Sequence, residues 1–391
     1  MALKDGVEGP ARDQATGDLM FKKATFIVIA SLLSISLSLF FLSGQPFSRE
    51  IPTILIVQSY AKGQGCGSRL EVGLMQELKA LGYEEGKNIN IRHFYMDTQT
   101  KYMSPEQQKM RGALAIKKAR ELKPTVLVIF DDTAFRFVAL PLAKTSQQIV
   151  YGGVNVAPER YNAETEFMKS REKPGYNITG VTEEATSDYA TQMMKEIFPS
   201  AKGMVIIGSD MAPFLRQIVE DTIDDIRKNP QNYPIQLKST HFVKKFSEMK
   251  KLYADFNRDN SIDVIHNHDI TGLLDDNGRG VKHEKIVQWI LENSKKPTFV
   301  WMVDWVPMGF LGGVGINLNL CGHQVAQKVV RVLNGEKAAD IPIEKPKYHT
   351  IEINLARAQQ LGIDIPSSLL LVADKLYTEM SLLPEYKYTL K

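Results

Sequence analysis

From position 51 onward the hydrophobic positions switch repeatedly between the period of a strand and the period of a helix. Residues 51–58 (IPTILIVQ) form a short β-branched run of buried-strand type. Residues 68–81 then carry Leu70, Val72, Leu74, Leu78 and Leu81, a rough helical face. The signals continue with a strand at 88–95, a helix at 105–122 and a strand at 125–130 (TVLVIF), then a short helix at 134–143 and a strand at 149–154. Pro105 suits the first turn of its helix. The second half repeats the scheme, with helices predicted at 188–198, 214–227, 246–256, 281–294 and 322–333. Its strands fall at 204–207, 235–242, 262–266 and 298–303. The last helix runs into Asn334-Gly335, a C-cap signal. Strands alternating with helices imply parallel sheets covered on both faces. Residues 157–175 are polar and aperiodic and read as the connection between two similar doubly wound α/β lobes. Ligands of such sheets bind outside the carboxyl ends of the strands, so the expected site is the cleft between the lobes.

One upstream segment departs from this pattern. Residues 24–44 (ATFIVIASLLSISLSLFFLSG) carry no charge and directly follow Lys22 and Lys23. About 21 residues at 1.5 Å each span roughly 31 Å, enough to cross the hydrocarbon core of a bilayer. The two lysines orient the run so that the chain from Gln45 onward is exported. The length of the run favours an uncleaved anchor. Ser31, Ser34, Ser36, Ser38 and Ser43 dilute it and favour a cleavable signal peptide that starts at Met20. Either way the lobes stand outside the cytoplasm, in a periplasm or on the outer face of the cytoplasmic membrane. Leu42-Ser43-Gly44 is followed by Gln45 rather than Cys, which excludes a lipid anchor there. Residues 1–19 are polar and aperiodic, so 1–23 read as a disordered cytoplasmic N-terminus.

Composition narrows the function. Hydrophobic content of 43% and charged content of 24% are those of a globular protein with an ordinary core. A net charge of +3 with no block of five like charges gives no nucleic-acid footprint. The two cysteines, Cys66 and Cys321, can pair only if the fold brings them within disulfide range, and neither has a second ligand at zinc-finger spacing. Asn177-Ile178-Thr179 is a glycosylation sequon only in a eukaryotic host. Gly63, Gly65 and Gly67 are spaced G-x-G-x-G, which is not the dinucleotide fingerprint. No G-x-S-x-G elbow or H-E-x-x-H motif occurs, so no catalytic residue, cofactor or resident metal is expected.

Three motifs carry a resemblance. Residues 172–181 (EKPGYNITGV), residues 312–344 (GGVGINLNLCGHQVAQKVVRVLNGEKAADIPIE) continued at 350–365, and residues 81–88 (LGYEEGKN) occur in this spacing. Together they resemble the substrate-binding proteins of ABC transporters of the tryptophan-binding type, over roughly 51–374. The resemblance implies a type I periplasmic-binding-protein fold, two lobes that close on a small solute. It implies lobe 1 at 51–176 plus 318–391, lobe 2 at 177–317, and hinge segments at 177–181 and 313–316. Glycines in those segments suit strands whose backbones approach closely. The implied function is capture of a small organic ligand, amino-acid-like or aromatic, and its delivery to ABC permease and ATPase subunits. A membrane-tethered receptor that signals to a partner is the alternative.

The candidate ligand contacts lie where strands end. In the first lobe they are Ser59 and Tyr60, then Asp131, Asp132 and Thr133, then Gly153, Val154 and Asn155. Asp132 or Thr133 also suits a helix N-cap. In the second lobe they are Ser209 and Asp210, then Asn267, His268 and Asp269, then Asp304 and Trp305. Asp304 can pair with a ligand ammonium, and Trp305 can offer an aromatic face. His266 and His268 share a strand face and invite a metal reading, but Asp275 and Asp276 read better as a turn. The two histidines also depart from the small polar segment that family members carry there.

Overall fold

The computed structural model describes residues 51–381, apart from positions 185 and 212. The expected N-terminus at 1–23 and the apolar run at 24–44 therefore lie outside the described residues, as do positions 382–391. Among the described residues no helix is long and apolar enough to cross a membrane.

Two sheets organise the chain. The first contains β1 (Thr53–Gln58), β2 (Asn90–Tyr95), β3 (Val126–Phe130), β4 (Ile149–Val154) and β5 (Ile178–Thr182), in the order β2-β1-β3-β4-β5. All four pairings are parallel. Its β1 and β3 are almost wholly buried because both faces are covered. Helix α1 (Gly65–Ala80) covers one face, and α2 (Pro105–Leu122) with the helical run 132–142 covers the other. Ser104 starts α2 with a capping box: its Oγ accepts from the Gln107 N–H, and Gln107 Oε1 accepts from the Ser104 N–H. The stretch 157–175 begins with α3 (Pro158–Glu164) and stays beside the first sheet, leading into β5.

The second sheet contains β6 (Gly203–Ser209), β7 (Gln236–Val243), β8 (Val264–Asp269), β9 (Thr298–Val300), β10 (Gly312–Ile316), β11 (His349–Asn354) and β12 (Lys375–Tyr377). Their order is β12-β11-β10-β9-β8-β6-β7. Every pairing is parallel except β10 with β11, which is antiparallel. Helices α4 (Ser187–Ile197) and α5 (Pro213–Lys228) pack on one face, α6 (Phe246–Arg258) and α7 (His283–Asn293) on the other. Helix α8 (Leu318–Leu333) returns to the first lobe and packs beside α1. The short helices α9 (Leu355–Leu361) and α10 (Ser367–Val372) follow β11.

These pairings move two lobe boundaries. Residues 178–182 belong to the first sheet, because β5 pairs with β4. Residues 349–377 belong to the second, because β11 hydrogen-bonds β10 from Gly312–Ile353 through Ile316–His349. The chain therefore passes between the sheets after β5, at Asn317, and again before β11. The glycine-bearing segments 177–181 and 313–316 are strands that end at two of these passages.

Candidate functional site

The carboxyl ends of both sheets face a cavity of ≈ 250 Å³. From the first lobe, Tyr60 follows β1, Arg69 lies in the first turns of α1, and Asn155 follows β4. Glu183 enters at the passage after β5. From the second lobe come Asp269 and Thr271 after β8, and Trp301 to Asp304 after β9. Leu215 and Ile218 of α5 add an apolar side.

Charge ties the lobes together at this cavity. Arg69 Nη2 donates to both carboxylate oxygens of Asp304, at 3.2 and 3.1 Å. Arg160 of α3 pairs with Asp221 and, at 3.1 Å, with Asp224, both on α5. The Arg69–Asp304 pair also borders a second crevice of ≈ 330 Å³, lined by Asn317, Thr350, Glu352 and Asp374 among others.

The residues expected from sequence divide into cavity walls and scaffold. Tyr60, Asn155, Asp269 and Asp304 line the cavity. Ser59 lies behind the wall: its Oγ donates to the Phe130 carbonyl and accepts from the Ala134 N–H, at 3.0 and 2.8 Å. Ser209 plays the same part in the second lobe, donating to the Thr271 carbonyl at 3.1 Å and accepting from the Met211 N–H at 3.2 Å. Asp132 accepts from the N–H and side chain of Asn155, the Val156 N–H and the Tyr161 hydroxyl. Asp131 is held by the Tyr60 hydroxyl and sits at φ 75°, while Thr133 is in the helical turn that follows. Burial, then the neighbouring Asp132 carboxylate, pushes the Asp131 carboxyl up to about 7. Asp210 is turned to the surface, paired with Arg216 and Lys244.

The place where β9 stops moves one expected contact, and burial within β8 removes others. The strand ends at Val300, so Trp301 rather than Trp305 forms the aromatic wall. Trp305 is packed into the core of the second lobe against His283 and Phe310. Asn267 is fully buried and does not line the cavity. His268 reaches the site only through a neighbour. Its ring stacks on Trp301 at 5.2 Å between centroids, and its Nε2 lies 3.1 Å from Thr222 Oγ1.

Arg69, Glu183, Trp301 and Thr271 were not expected. The signal for Glu183 was its place directly after a crossing strand, where the backbone leaves one sheet for the other. Gly153 was expected as a contact, and its role is to leave space. Its φ is +67°, and a Cβ there would meet Leu70 Cδ1 at 2.4 Å and Glu183 Oε2 at 3.1 Å. Cys321 is a free, buried thiol. Among the described residues no group of three or more His, Cys, Asp or Glu side chains is placed to hold a metal ion.

His266 bears on stability. It is wholly buried, and neither ring nitrogen has a partner among the described residues. Burial lowers its pKa to about 4. The unfolded chain therefore takes up this proton first, and stability is lost as pH falls from about 6.5 towards 4. The His266→Gln variant lacks that loss. Between pH 7 and pH 5 the parent should lose about 2 kcal/mol more than the variant in urea titrations. The buried carboxyls shift in the opposite sense, but both proteins contain them and they cancel in the difference. Equal slopes would show that His266 is already protonated or solvated when folded.

The family model described as ABC transporter substrate binding protein matches residues 67–377. The chain belongs to this family. It is 23% identical over 287 residues to the tyrosine-binding protein of Clostridioides difficile (strain R20291), covering 72% of this chain and 73% of that one. A ligand-free, open substrate binding protein with adhesive properties from Clostridium difficile has the same fold, with a TM-score of 0.63, 18% identity, and coverage of 85% of this chain and all of the other. An ABC domain in complex with L-Trp from Streptococcus pneumonia has a TM-score of 0.58 and 20% identity, covering 83% of this chain and 99% of that one. The family and these neighbours are substrate-binding proteins rather than enzymes, as this substrate-binding protein's want of catalytic motifs suggested.

Proposed function

We propose that this protein stands outside the cytoplasmic membrane, captures an amino acid with an aromatic side chain between its lobes, and delivers it to an ABC importer. The observation that carries the reading is the composition of the cavity. Trp301 and Tyr60 offer ring surface, Leu215 and Ile218 an apolar side, and Glu183, Asp269 and Asp304 carboxyl groups. Such a wall suits a compact ligand with an ammonium at one end and a ring at the other. The tyrosine-binding relative and the L-Trp complex support the same ligand class. The segments after β5 and around Asn317 serve as the hinge, and residues 24–44 export the lobes as a signal peptide or tether.

Calorimetry of the full-length protein with L-tyrosine and L-tryptophan tests the ligand. Either one at a hundred times its Kd should stabilise the fold by about 2.7 kcal/mol. Absence of binding by both, or turnover of a bound ligand, would overturn the reading. Cell fractionation tests the placement, and recovery with the cytosol would contradict it.

A further inference from the structure

We infer that Glu183 is the seat of the ligand's positive charge, so the site selects ligands by an ammonium group and rejects isosteric acids that lack one. The inference rests on the small-ligand reading above and sharpens it. Glu183 is 7% exposed and lines the cavity, yet its Oε2 has no hydrogen-bond partner among the described residues. A buried carboxyl oxygen without a donor is costly, and a ligand that brings donors and charge removes that cost. The neighbours explain why no side chain fills this role. Asp131, Asp132 and Asp304 lie within electrostatic range of Glu183, against Arg69 as the cation. Arg69 already gives its Nη2 to both oxygens of Asp304. Burial first, and these acids second, raise the Glu183 carboxyl well above its ordinary range. A cation entering the cavity is what lets it ionise.

The surrounding backbone leaves room beside this buried oxygen. Gly153 has no side chain to cover it, and any Cβ there would stand 3.1 Å from Oε2. Asp269, a second acid at the cavity, has one oxygen committed to Thr271, whose N–H and hydroxyl donate to Oδ1 at 2.8 and 2.7 Å. Asp304 is committed to Arg69. Glu183 is thus the acid left with a buried, undonated oxygen at the cavity, and an alkylammonium has three donors to offer it.

Calorimetry with four probes separates the possibilities: L-tyrosine, tyramine, 3-(4-hydroxyphenyl)propionate, and putrescine as a ring-free amine. L-Tyrosine and tyramine should bind, and the propionate should bind at least about 30-fold more weakly than L-tyrosine. Glu183→Gln should weaken both amines by about 30-fold or more, while Glu183→Asp, which keeps the charge, recovers part of the loss. Melting curves of both variants check folding, and the probe comparison on the unsubstituted protein decides the matter even if Glu183→Gln does not fold. Propionate binding as tight as that of tyrosine, or a folded Glu183→Gln with unchanged affinity, overturns the inference and leaves the aromatic reading intact. Glu183-dependent binding of putrescine without tyrosine, tyramine or L-tryptophan supports the inference and overturns the aromatic reading. Failure of every amine to bind, L-tryptophan included, overturns both.

Discussion

Gly322→Val is expected to destabilise the protein by about 3 kcal/mol or more. Helices α1 and α8 pack with their backbones in contact, and glycine makes this possible on both sides. At Gly322 a Cβ would stand 2.2 Å from the Leu70 carbonyl oxygen and 2.8 Å from the Leu74 nitrogen. At Gly73 it would stand 1.9 Å from the Asn319 carbonyl oxygen. Backbone atoms cannot rotate aside as a flexible side chain can, so the helices must separate. That separation would loosen the apolar layer they share with Ile54, Val128 and Val150. It would also move Arg69 away from Asp304, so ligand affinity should fall together with stability. The check is a denaturant midpoint that shifts with unchanged slope. Gly280→Ala is the control: no atom lies within 4 Å of its added Cβ, and the change should stay within about 0.5 kcal/mol. A loss at Gly322 no larger than at Gly280 would mean that the two helices do not pack this closely.

The same glycine shows where reading the sequence runs out. Gly322 inside a run of helix-forming residues looks like a boundary, so the last long helix was expected to begin there. It begins at Leu318, with Asn317 as the cap that accepts from the Leu320 N–H. A glycine used for close approach and a glycine used for termination are identical in one dimension. Hydrophobic runs were legible because burial on both faces of a parallel sheet leaves little choice of residue: β1, β3 and β4 lie where the apolar runs predicted. Strands β11 and β12 lacked such a run. Glu352 sits in the middle of β11, its carboxylate tied to Lys375 and the Tyr377 hydroxyl, and partner charges of this kind are invisible until the pairing is known.

The candidate site was legible at the level of loops and less so at the level of residues. Near the strand ends several side chains serve the loops instead: Ser59 and Ser209 spend their hydroxyls on backbone N–H and carbonyl groups, and Asp132 spends its oxygens on the Asn155 and Val156 N–H groups and on the Asn155 and Tyr161 side chains. Tyr60 and Thr271, each two residues beyond its strand, reach the cavity. Trp305 was misplaced for a related reason. The apolar letters of residues 298–303 suggest a longer strand, but β9 pairs with β8 over Thr298 to Val300 alone and the chain then turns into a 3-10 helix at Val303. Glu183 escaped notice because its loop belongs to a crossing rather than to a helix start, and crossings carry no periodic signal.

Asp132→Ala should cost about 3 kcal/mol and loosen the ligand site with it. The carboxylate accepts from the Asn155 N–H at 2.9 Å, the Asn155 side chain at 3.1 Å, the Val156 N–H at 3.2 Å and the Tyr161 hydroxyl at 2.8 Å. Alanine would leave those donors without an acceptor, and each buried orphan costs about 1–3 kcal/mol. Part of this is offset, because burial raises the Asp132 carboxyl above its ordinary range and removing it relieves that cost. Asp132→Asn keeps one acceptor oxygen at the same place and should lose roughly half as much. The two variants also separate scaffold from contact. Asn155 lines the cavity and is held there by Asp132, so affinity should track stability across alanine, asparagine and the parent. Full stability in Asp132→Ala with binding abolished would reverse the assignment and make Asp132 a direct ligand contact.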